Sequence, residues 1–138
     1  MKIVDAVRNL IKLPFKNRNE ISVLEPSVGT GNFLYAVKGL SSNITISAFE
    51  INETTAKIAK ILHPEATINP RSFETEFIDE KGNKKVLSQQ YDLVIGNPPY
   101  GEHRGLYKGL GEEPKLSKYE DYFVKRSLDV LKDEGVLA

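Results

Sequence analysis

The sequence contains no cysteine, no tryptophan and only two histidines, His63 and His103. The absence of cysteine excludes a disulfide scaffold and a thiolate zinc site. Two histidines offer little for a metal centre of another kind. We therefore expect no bound metal.

The chain also lacks a long apolar run, a signal peptide and a net charge. No stretch approaches the roughly 20 apolar residues of a membrane-spanning helix, and no secretory leader is recognisable. Lys and Arg number 19, as do Asp and Glu, so no basic footprint for nucleic acid is visible. With 138 residues and 40% hydrophobic content, we expect one cytoplasmic domain, residues 1–138, with no membrane partner.

The most informative segment is a short apolar run, residues 91–95, that stops at Asn97-Pro98-Pro99-Tyr100. Its Val, Ile, Leu and Tyr content is typical of a buried strand, and the two prolines lack the N–H groups that would continue a ladder. The strand therefore ends in a stiff turn. The Asn97 amide oxygen and the Pro98 carbonyl can accept hydrogen bonds from a planar amino group, and the Tyr100 ring can stack on a base.

A glycine turn follows the first predicted strand. Glu25 and Pro26 lead into Gly29 and Gly31, and a helix is expected after them. Glycine can adopt positive φ and lets the backbone approach a ligand, while a helix start offers unpaired N–H groups. Leu34 stands where the dinucleotide fingerprint has Gly or Ala, and an acid precedes the turn. The pattern thus favours a cationic ligand over a pyrophosphate.

The next predicted strand, residues 44–49, ends in Glu50, about 20 residues beyond the glycine turn. An acid at this distance suits the two hydroxyls of a ribose. Ile51 behind it can pack on an adenine face. Taken alone, Glu50 is equally well interpreted as a solvated acid at a strand end.

Asn97-Pro98-Pro99-Tyr100 resembles the catalytic motif of S-adenosylmethionine-dependent amino methyltransferases, above all the DNA adenine-N6 methyltransferases. Residues 24–33 resemble their first motif, in which a glycine loop curls around the methionine part of the cofactor. The resemblance implies an α/β fold, a Rossmann-like class I methyltransferase with a doubly wound, mostly parallel sheet, and S-adenosyl-L-methionine as cofactor. It implies catalytic roles for Asn97, Pro98, Pro99 and Tyr100, and cofactor binding by Glu25, Pro26, Gly29, Gly31, Phe33, Glu50, Ile51, Ser72 and Phe73.

The third strand departs from the family. Relatives commonly carry an Asp-Phe pair there, whose acid accepts a hydrogen bond from the adenine amino group of the cofactor, whereas this chain has Ser72-Phe73. A serine accepts the bond without charge, and Glu74 is the alternative acceptor if the register differs. Phe73 is either an adenine wall or a core residue.

The remaining segments are predicted from local patterns. Residues 78–86 are interpreted as a hairpin tip, since Gly82-Asn83 is a turn signal. Its lysines are interpreted as solvated, with a nucleic-acid patch as the less favoured alternative. The long segment 101–118 supplies Arg104 and Lys108 as candidates for phosphate contacts, with disorder as the alternative. Residues 119–132 predict a helix ended by Glu134-Gly135, and a last strand begins at Val136. The predicted order is helix, then strand-helix-strand-helix-strand-strand-helix-strand.

The resemblance covers only part of a seven-stranded methyltransferase domain. We interpret the chain as truncated at its fifth strand, without a target-recognition domain, so that the fourth strand is exposed as an edge through which chains can associate. The expected function is methyl transfer from S-adenosylmethionine to N6 of adenine in DNA, in restriction-modification or phage-type modification. The expected partner is double-stranded DNA with a flipped-out adenine, bound through the full-length protein. The alternatives are N5-methylation of a glutamine in a translation factor, and a non-catalytic structural or interaction fragment.

Overall fold

The computed structural model describes residues 2–101 and 118–138. Within these residues, parallel strands form one five-stranded sheet in the order β3-β2-β1-β4-β5. The elements in chain order are α1 (Lys2–Lys12), β1 (Glu20–Glu25), α2 (Leu34–Val37), β2 (Asn43–Phe49), α3 (Glu53–Leu62), β3 (Ala66–Asn69), a 3-10 helix (Phe73–Phe77), β4 (Tyr91–Val94), α4 (Tyr119–Val130) and β5 (Leu131–Leu137).

The central strand β1 organises the sheet. Its apolar residues Ile21, Val23 and Leu24 are fully buried, as expected for a parallel strand covered on both faces. It pairs with β2 along its whole length and with β4 on its other side. The chain order thus reverses between β1 and β4, and ligands of doubly wound sheets bind at such a switch point, beyond the carboxyl ends of the strands.

Two apolar cores lie on opposite faces of the sheet. On one face, α1, α2 and α3 pack on the strands, and the small residues Ala56 and Ala59 let α3 lie close to the sheet. On the other face, the 3-10 helix and α4 enclose an aromatic core. Its fully or nearly buried members are Leu24, Phe49, Phe73, Phe77, Val94, Tyr122, Phe123, Val130 and Leu131.

The predicted fold class and element order are confirmed, but the end of α4 differs. The helix ends at Val130, and Glu134-Gly135 lie inside β5 instead of capping the helix. Glu134 has φ 63°, and a Cβ at Gly135 would come within 2.8 Å of Leu131 and of the Lys132 carbonyl. Glu134 at positive φ and the closely packed Gly135 therefore lie at an irregularity of β5, and the pairing between β4 and β5 shifts register.

The expectation that β4 is an exposed edge is wrong. β4 pairs with β1 on one side and with β5 on the other, with Leu93 opposite Val136 and Val94 opposite Leu137. The Ala138 N–H also donates to the Val94 carbonyl at 2.9 Å. In the described part of the chain, the outer strands are β3 and β5, so any association through an edge involves those strands and not β4.

The hairpin predicted between β3 and β4 is present. Ile78 and Lys84 form an antiparallel bridge, and Gly82, at φ 79°, donates to the Asp79 carbonyl at 2.9 Å. The Asp79 carboxylate accepts from the N–H groups of Asn83 at 2.7 Å and Lys81 at 2.9 Å. These hydrogen bonds, above all that from Asn83, lower the pKa of Asp79 below its usual range. The carboxylate thus holds the hairpin tip together.

None of the described helices is long and apolar enough to cross a membrane. In the same residues, His, Asp and Glu form no group of three or more that is placed to hold a metal ion. Arg104, Lys108 and His103 lie outside the described residues.

Candidate functional site

The candidate site lies beyond the carboxyl ends of β1, β2 and β4. Glu25 is the last residue of β1, Glu50 follows β2, and Asn97 follows β4. Since parallel strands end at the same edge of a sheet, pairing of β1 with β2 and with β4 brings these side chains to one edge.

A cleft of about 470 Å³ opens at this edge. Its lining is Pro26, Ser27, Phe49, Glu50, Ile51, Arg71, Ser72, Phe73, Glu74, Thr75, Ile78, Pro99, Tyr119 and Phe123. Apolar walls with a few acids and hydroxyls are typical of sites for small organic ligands. The volume falls in the range of roughly 300–1,000 Å³ that such sites occupy.

Glu50 ties the glycine turn to the start of α3. Its carboxylate accepts from the Gly29 N–H at 3.0 Å and from the Asn52 N–H at 2.8 Å. Asn52 in turn caps α3 by accepting from the Thr55 N–H at 2.9 Å. The acid is therefore held in a fixed position in the cleft wall. Gly29 adopts φ 55° with open space where a Cβ would stand, so its need for glycine is conformational.

Gly31 needs glycine for a different reason. At φ 90°, a Cβ on this residue would overlap the ring of His63, which is fully buried and contacts the Tyr35 ring edge with centroids 4.8 Å apart. The glycine thus permits close packing of the turn on the end of α3. Sequence reasoning placed Gly31 at the ligand and missed His63, whose only local signal is its place directly after an apolar helix.

Glu25 is buried beneath the two turns. It is 1% exposed, and its Oε2 atom has no hydrogen-bond partner among the described residues. Burial raises the pKa of Glu25 well above its usual range. A Cβ at Gly96 would lie 3.4 Å from the Glu25 Cγ, so this side chain packs directly against the segment that carries Asn97. An unpartnered buried carboxyl group can accept a hydrogen bond from a cationic ligand.

The end of β3 brings two candidate acceptors into the cleft. Ser72 and Glu74 both line it, on either side of Phe73. Glu74 is 4% exposed, and its buried Oε2 atom has no hydrogen-bond partner within residues 2–101 and 118–138. A buried carboxylate oxygen without a partner is costly, so Glu74 has more to gain from a donor on a ligand than Ser72 has.

Phe73 is both a core residue and a cleft wall. It is 2% exposed, and its ring contacts those of Phe49, Phe77 and Phe123 with centroid separations of 5.5, 5.1 and 5.7 Å. The two interpretations of this residue are therefore compatible. Pro26 is a buried cleft residue, and Ile51, 74% exposed, lies at the mouth.

Phe33 does not line the cleft. It is half-buried and packs against the core on the helix-covered face. Conversely, the cleft contains residues that sequence reasoning missed. Phe49 precedes Glu50, so its position on a strand end offered a signal. Arg71, whose guanidinium lies 5.1 Å from the Phe49 ring centroid, directly precedes Ser72, so its place after β3 offered a signal as well. Phe123 of α4 offered none, because tertiary packing brings it to the site.

The Asn97-Pro98-Pro99-Tyr100 turn is fastened on two sides. The Ser27 hydroxyl donates to the Asn97 carbonyl at 2.9 Å, which ties the turn to the segment after β1. The Tyr119 N–H donates to the Gly101 carbonyl at 2.8 Å, which ties it to α4. Pro98 is half-buried and Pro99 lines the cleft, so the prolines place the turn beside the cleft.

The polar atoms of the turn face solvent. Asn97 is exposed, Tyr100 is 75% exposed, and the Tyr100 hydroxyl donates to the Asn97 Oδ1 at 2.9 Å. An amide oxygen has two lone pairs, so Asn97 retains one acceptor position beside this bond. The arrangement presents an amide acceptor and an aromatic ring at the edge of an acid-lined cleft.

Curated relatives match most of the chain. It is 31% identical over 119 residues to the defense against restriction protein B of Escherichia phage P1, covering 84% of this chain and 5% of that protein. It is 27% identical over 126 residues to the modification methylase CviBIII of a Chlorella virus, covering 90% and 31%. A tRNA1(Val) (adenine(37)-N6)-methyltransferase of Flavobacterium psychrophilum is 30% identical over 111 residues, covering 76% and 44%. The chain thus spans less than half the length of each.

Solved structures share the fold. A protein of Listeria monocytogenes described as a class I S-adenosylmethionine-dependent methyltransferase matches with a TM-score of 0.73 at 18% identity, covering 98% of this chain and 43% of that one. A modification subunit of a type I restriction enzyme from Vibrio vulnificus matches with a TM-score of 0.68 at 18% identity, covering 94% and 30%. The sheet described above is therefore a class I methyltransferase fold.

The sequence also matches a family over nearly its whole length. Residues 12–138 match the family described as Eco57I restriction-modification methylase. This range includes both turns, the cleft and all five strands of the described sheet. S-adenosylmethionine is the cofactor that this family and fold imply. The chain belongs to the Eco57I restriction-modification methylase family of S-adenosylmethionine-dependent methyltransferases.

Proposed function

We propose that this chain is the cofactor-binding and catalytic part of a DNA methyltransferase that acts on N6 of adenine. The observation that carries the proposal is the Asn97-Pro98-Pro99-Tyr100 turn, fastened beside an acid-lined cleft at the switch point of the sheet. The match to a family of restriction-modification methylases supports DNA as the substrate.

The cleft fits S-adenosylmethionine by its donor and acceptor set. Glu50 is placed to accept from the ribose hydroxyls, and Ile51 and Phe73 are apolar walls for the adenine ring. The buried Oε2 atom of Glu74, which has no hydrogen-bond partner among the described residues, suits the adenine amino group. Glu25 precedes Pro26 of the lining without lining the cleft itself, and it is our candidate acceptor for the ammonium group of the methionine part. When bound, S-adenosylmethionine supplies an electrophilic methyl group.

The residues of the turn act on the target base. The Asn97 Oδ1 atom and the Pro98 carbonyl are acceptors for the two N–H groups of a planar amino group, and accepting both raises the electron density on nitrogen. The Tyr100 ring supports the base by stacking. The base has to leave the duplex, since a nitrogen inside the base stack cannot reach this turn. Positioning and fixed dipoles account for the acceleration, and no covalent enzyme intermediate is required.

A methyl-transfer assay with radiolabelled S-adenosylmethionine tests the proposal. The chain is incubated with duplex DNA, and also within a longer protein of the size of its relatives, because it spans 31% of the CviBIII methylase. We expect label in N6-methyladenine of the DNA from the longer protein. Label in another position, or a cofactor titration that shows no binding to either protein, would refute the proposal.

A second candidate substrate is an adenine in tRNA. The relative from Flavobacterium psychrophilum, which is named as a tRNA adenine-N6 methyltransferase, supports it. The chemistry at Asn97 is the same for both nucleic acids, so the turn does not discriminate between them. Parallel incubation with duplex DNA, tRNA and a glutamine-containing peptide separates the two nucleic acid substrates and also the glutamine alternative.

A further inference from the structure

A second, smaller cleft of about 260 Å³ lies between the hairpin and α4. Its lining is Phe77, Lys84, Lys85, Val86, Leu87, Lys125, Arg126 and Asp129. Four of these residues are cationic and one is anionic, whereas the chain as a whole carries no net charge. Positive charge is therefore concentrated in a concave surface that the composition does not reveal.

The hairpin wall of this cleft is ordered by hydrogen bonds. Lys84 bridges to Ile78, and the Lys85 N–H donates to the Phe77 carbonyl at 2.8 Å. The Asp79 carboxylate closes the hairpin tip, as described above. The two lysines are exposed, as predicted, but they are held on a fixed backbone facing α4. The interpretation of a merely solvated loop is therefore incomplete.

The α4 wall presents an oriented guanidinium group. Arg126 is 5% exposed, and its guanidinium lies 4.5 Å from the Phe77 ring centroid and 5.6 Å from that of Tyr122. Asp129 pairs with the Arg126 Nη1 at 3.2 Å and with the Lys125 Nζ at 2.5 Å. The single acid orients two cations at once, and Lys84 and Lys85 add charge from the other wall.

We propose that this basic cleft binds a phosphate of the nucleic acid backbone, an inference that rests on the proposed function. The four cations of the lining suit an anionic group such as a phosphate. On α4, Arg126 lies one helical turn, roughly 5 Å, beyond Phe123 of the first cleft. A phosphate bound there holds the substrate backbone near the catalytic turn. Such a contact fixes position without reading sequence, in line with a cleft whose described lining is charged and apolar, with no amide side chain.

The test compares two double substitutions that remove the same charge. Lys84→Gln/Lys85→Gln, the cleft variant, removes the two positive charges of the hairpin wall. Lys57→Gln/Lys60→Gln, the α3 variant, removes two exposed lysines from the other face of the sheet. Binding of fluorescent duplex DNA is measured by anisotropy between about 50 and 200 mM KCl, the range in which phosphate contacts change affinity most visibly. Circular dichroism checks that each variant is folded.

We expect the cleft variant to bind DNA about 10-fold more weakly at the low-salt end, and the slope of log K against log salt to fall by about 1–2. The α3 variant keeps most of the wild-type affinity and slope. As a second variant, Asp129→Asn removes the acid from the cleft and should tighten binding. Equal losses in the two lysine variants, or unchanged or weaker binding by Asp129→Asn, would overturn the proposal.

Two further measurements separate the backbone-phosphate site from the proposed function and from a site for free phosphate. The first is S-adenosylmethionine binding, which should be the same for the cleft variant and the wild type. If the wild type does not bind S-adenosylmethionine, the proposed function fails, whereas the phosphate site is untouched by that result. The second measurement is a titration of both proteins with inorganic phosphate at constant ionic strength. Phosphate binding that the cleft variant loses, together with unchanged DNA binding, would assign the cleft to a free phosphate and contradict a backbone contact.

Discussion

At the scale of single residues, a substitution of Asn97 should affect turnover and cofactor affinity to different extents. Asn97→Ala in a methyltransferase that contains this chain should leave S-adenosylmethionine affinity largely intact and cut turnover at least ~100-fold, because its amide acts on the reacting nitrogen. Calorimetry and single-turnover kinetics measure the two quantities. Equal losses of both would indicate that Asn97 only maintains the turn.

Tyr100 provides the matched comparison, since its hydroxyl donates to the Asn97 Oδ1 in this structure. Tyr100→Phe keeps the ring for stacking and removes this bond, so target binding should change little. Tyr100→Ala removes the ring and should weaken target binding by about 1–3 kcal/mol. If Tyr100→Phe is as damaging as Tyr100→Ala, the hydroxyl and not the ring has the main role.

Glu25 should make the free energy of unfolding fall as pH rises. Burial raises its pKa in the folded protein above the value in the unfolded chain, so the folded state favours the protonated form. The stability that this preference contributes is fully present below the unfolded pKa and is lost as pH rises through the folded pKa. Glu25→Gln keeps the shape without the charge.

We therefore expect the unfolding free energy of the wild type to fall relative to that of Glu25→Gln as pH rises above the ordinary carboxyl range. Urea denaturation at a series of pH values measures the difference. Glu65→Gln is the control, because Glu65 is half-exposed and its pKa is lowered. Parallel pH profiles for the wild type and Glu25→Gln would show that Glu25 is not protonated in the folded state.

At the scale of elements, the glycine turn is positioned by the end of α3. Gly29→Ala and Gly31→Ala both place a side chain at positive φ, but only at Gly31 does the new Cβ overlap His63. We expect Gly31→Ala to cost about 1–3 kcal/mol more in unfolding free energy than Gly29→Ala, the scale of overpacking in a core. Equal costs would mean that the His63 ring moves aside freely.

The elements themselves were largely predictable, because strands of a parallel sheet are continuous apolar runs and the turns carry glycine and proline. The strand predicted over residues 91–95 is present as β4, which ends at Val94, before Pro98, and the predicted Gly82-Asn83 turn lies in the hairpin tip. The predicted end of α4 was wrong, because strand pairing overrides the local sequence pattern there. Glu134-Gly135 has the composition of a helix end, yet the pairing of β5 with β4 draws residues from 131 onward into the sheet.

At the scale of the whole molecule, the site could be predicted only where it follows strand ends. Glu50 and Asn97 were found because β2 and β4 deliver them to the same edge as β1. Phe123 was missed, because nothing local marks a residue that packing brings to a cleft from a distant part of the chain. The choice between Ser72 and Glu74 could not be made either, since it depends on burial and on hydrogen-bond partners.

The stability of the whole molecule distinguishes Ser72 from Glu74 as the acceptor, because a ligand that binds only the folded protein stabilises it. At a concentration 100 times its dissociation constant, S-adenosylmethionine should raise the unfolding free energy by about 2.7 kcal/mol. If Glu74 is the acceptor, Glu74→Leu should stabilise the protein without cofactor, because a buried carboxylate oxygen without a partner is removed. The same change should reduce the stabilisation that a fixed concentration of cofactor gives.

Ser72→Ala, which removes the neighbouring acceptor, should have little effect on either quantity. Thermal unfolding of the three proteins with and without cofactor measures both effects in one series. The reverse result, in which Ser72→Ala loses the stabilisation by cofactor and Glu74→Leu retains it, would assign the adenine amino group to Ser72. The unpartnered oxygen of Glu74 would then be a cost that the fold bears without a role in binding, and the burial of that carboxylate would need another explanation.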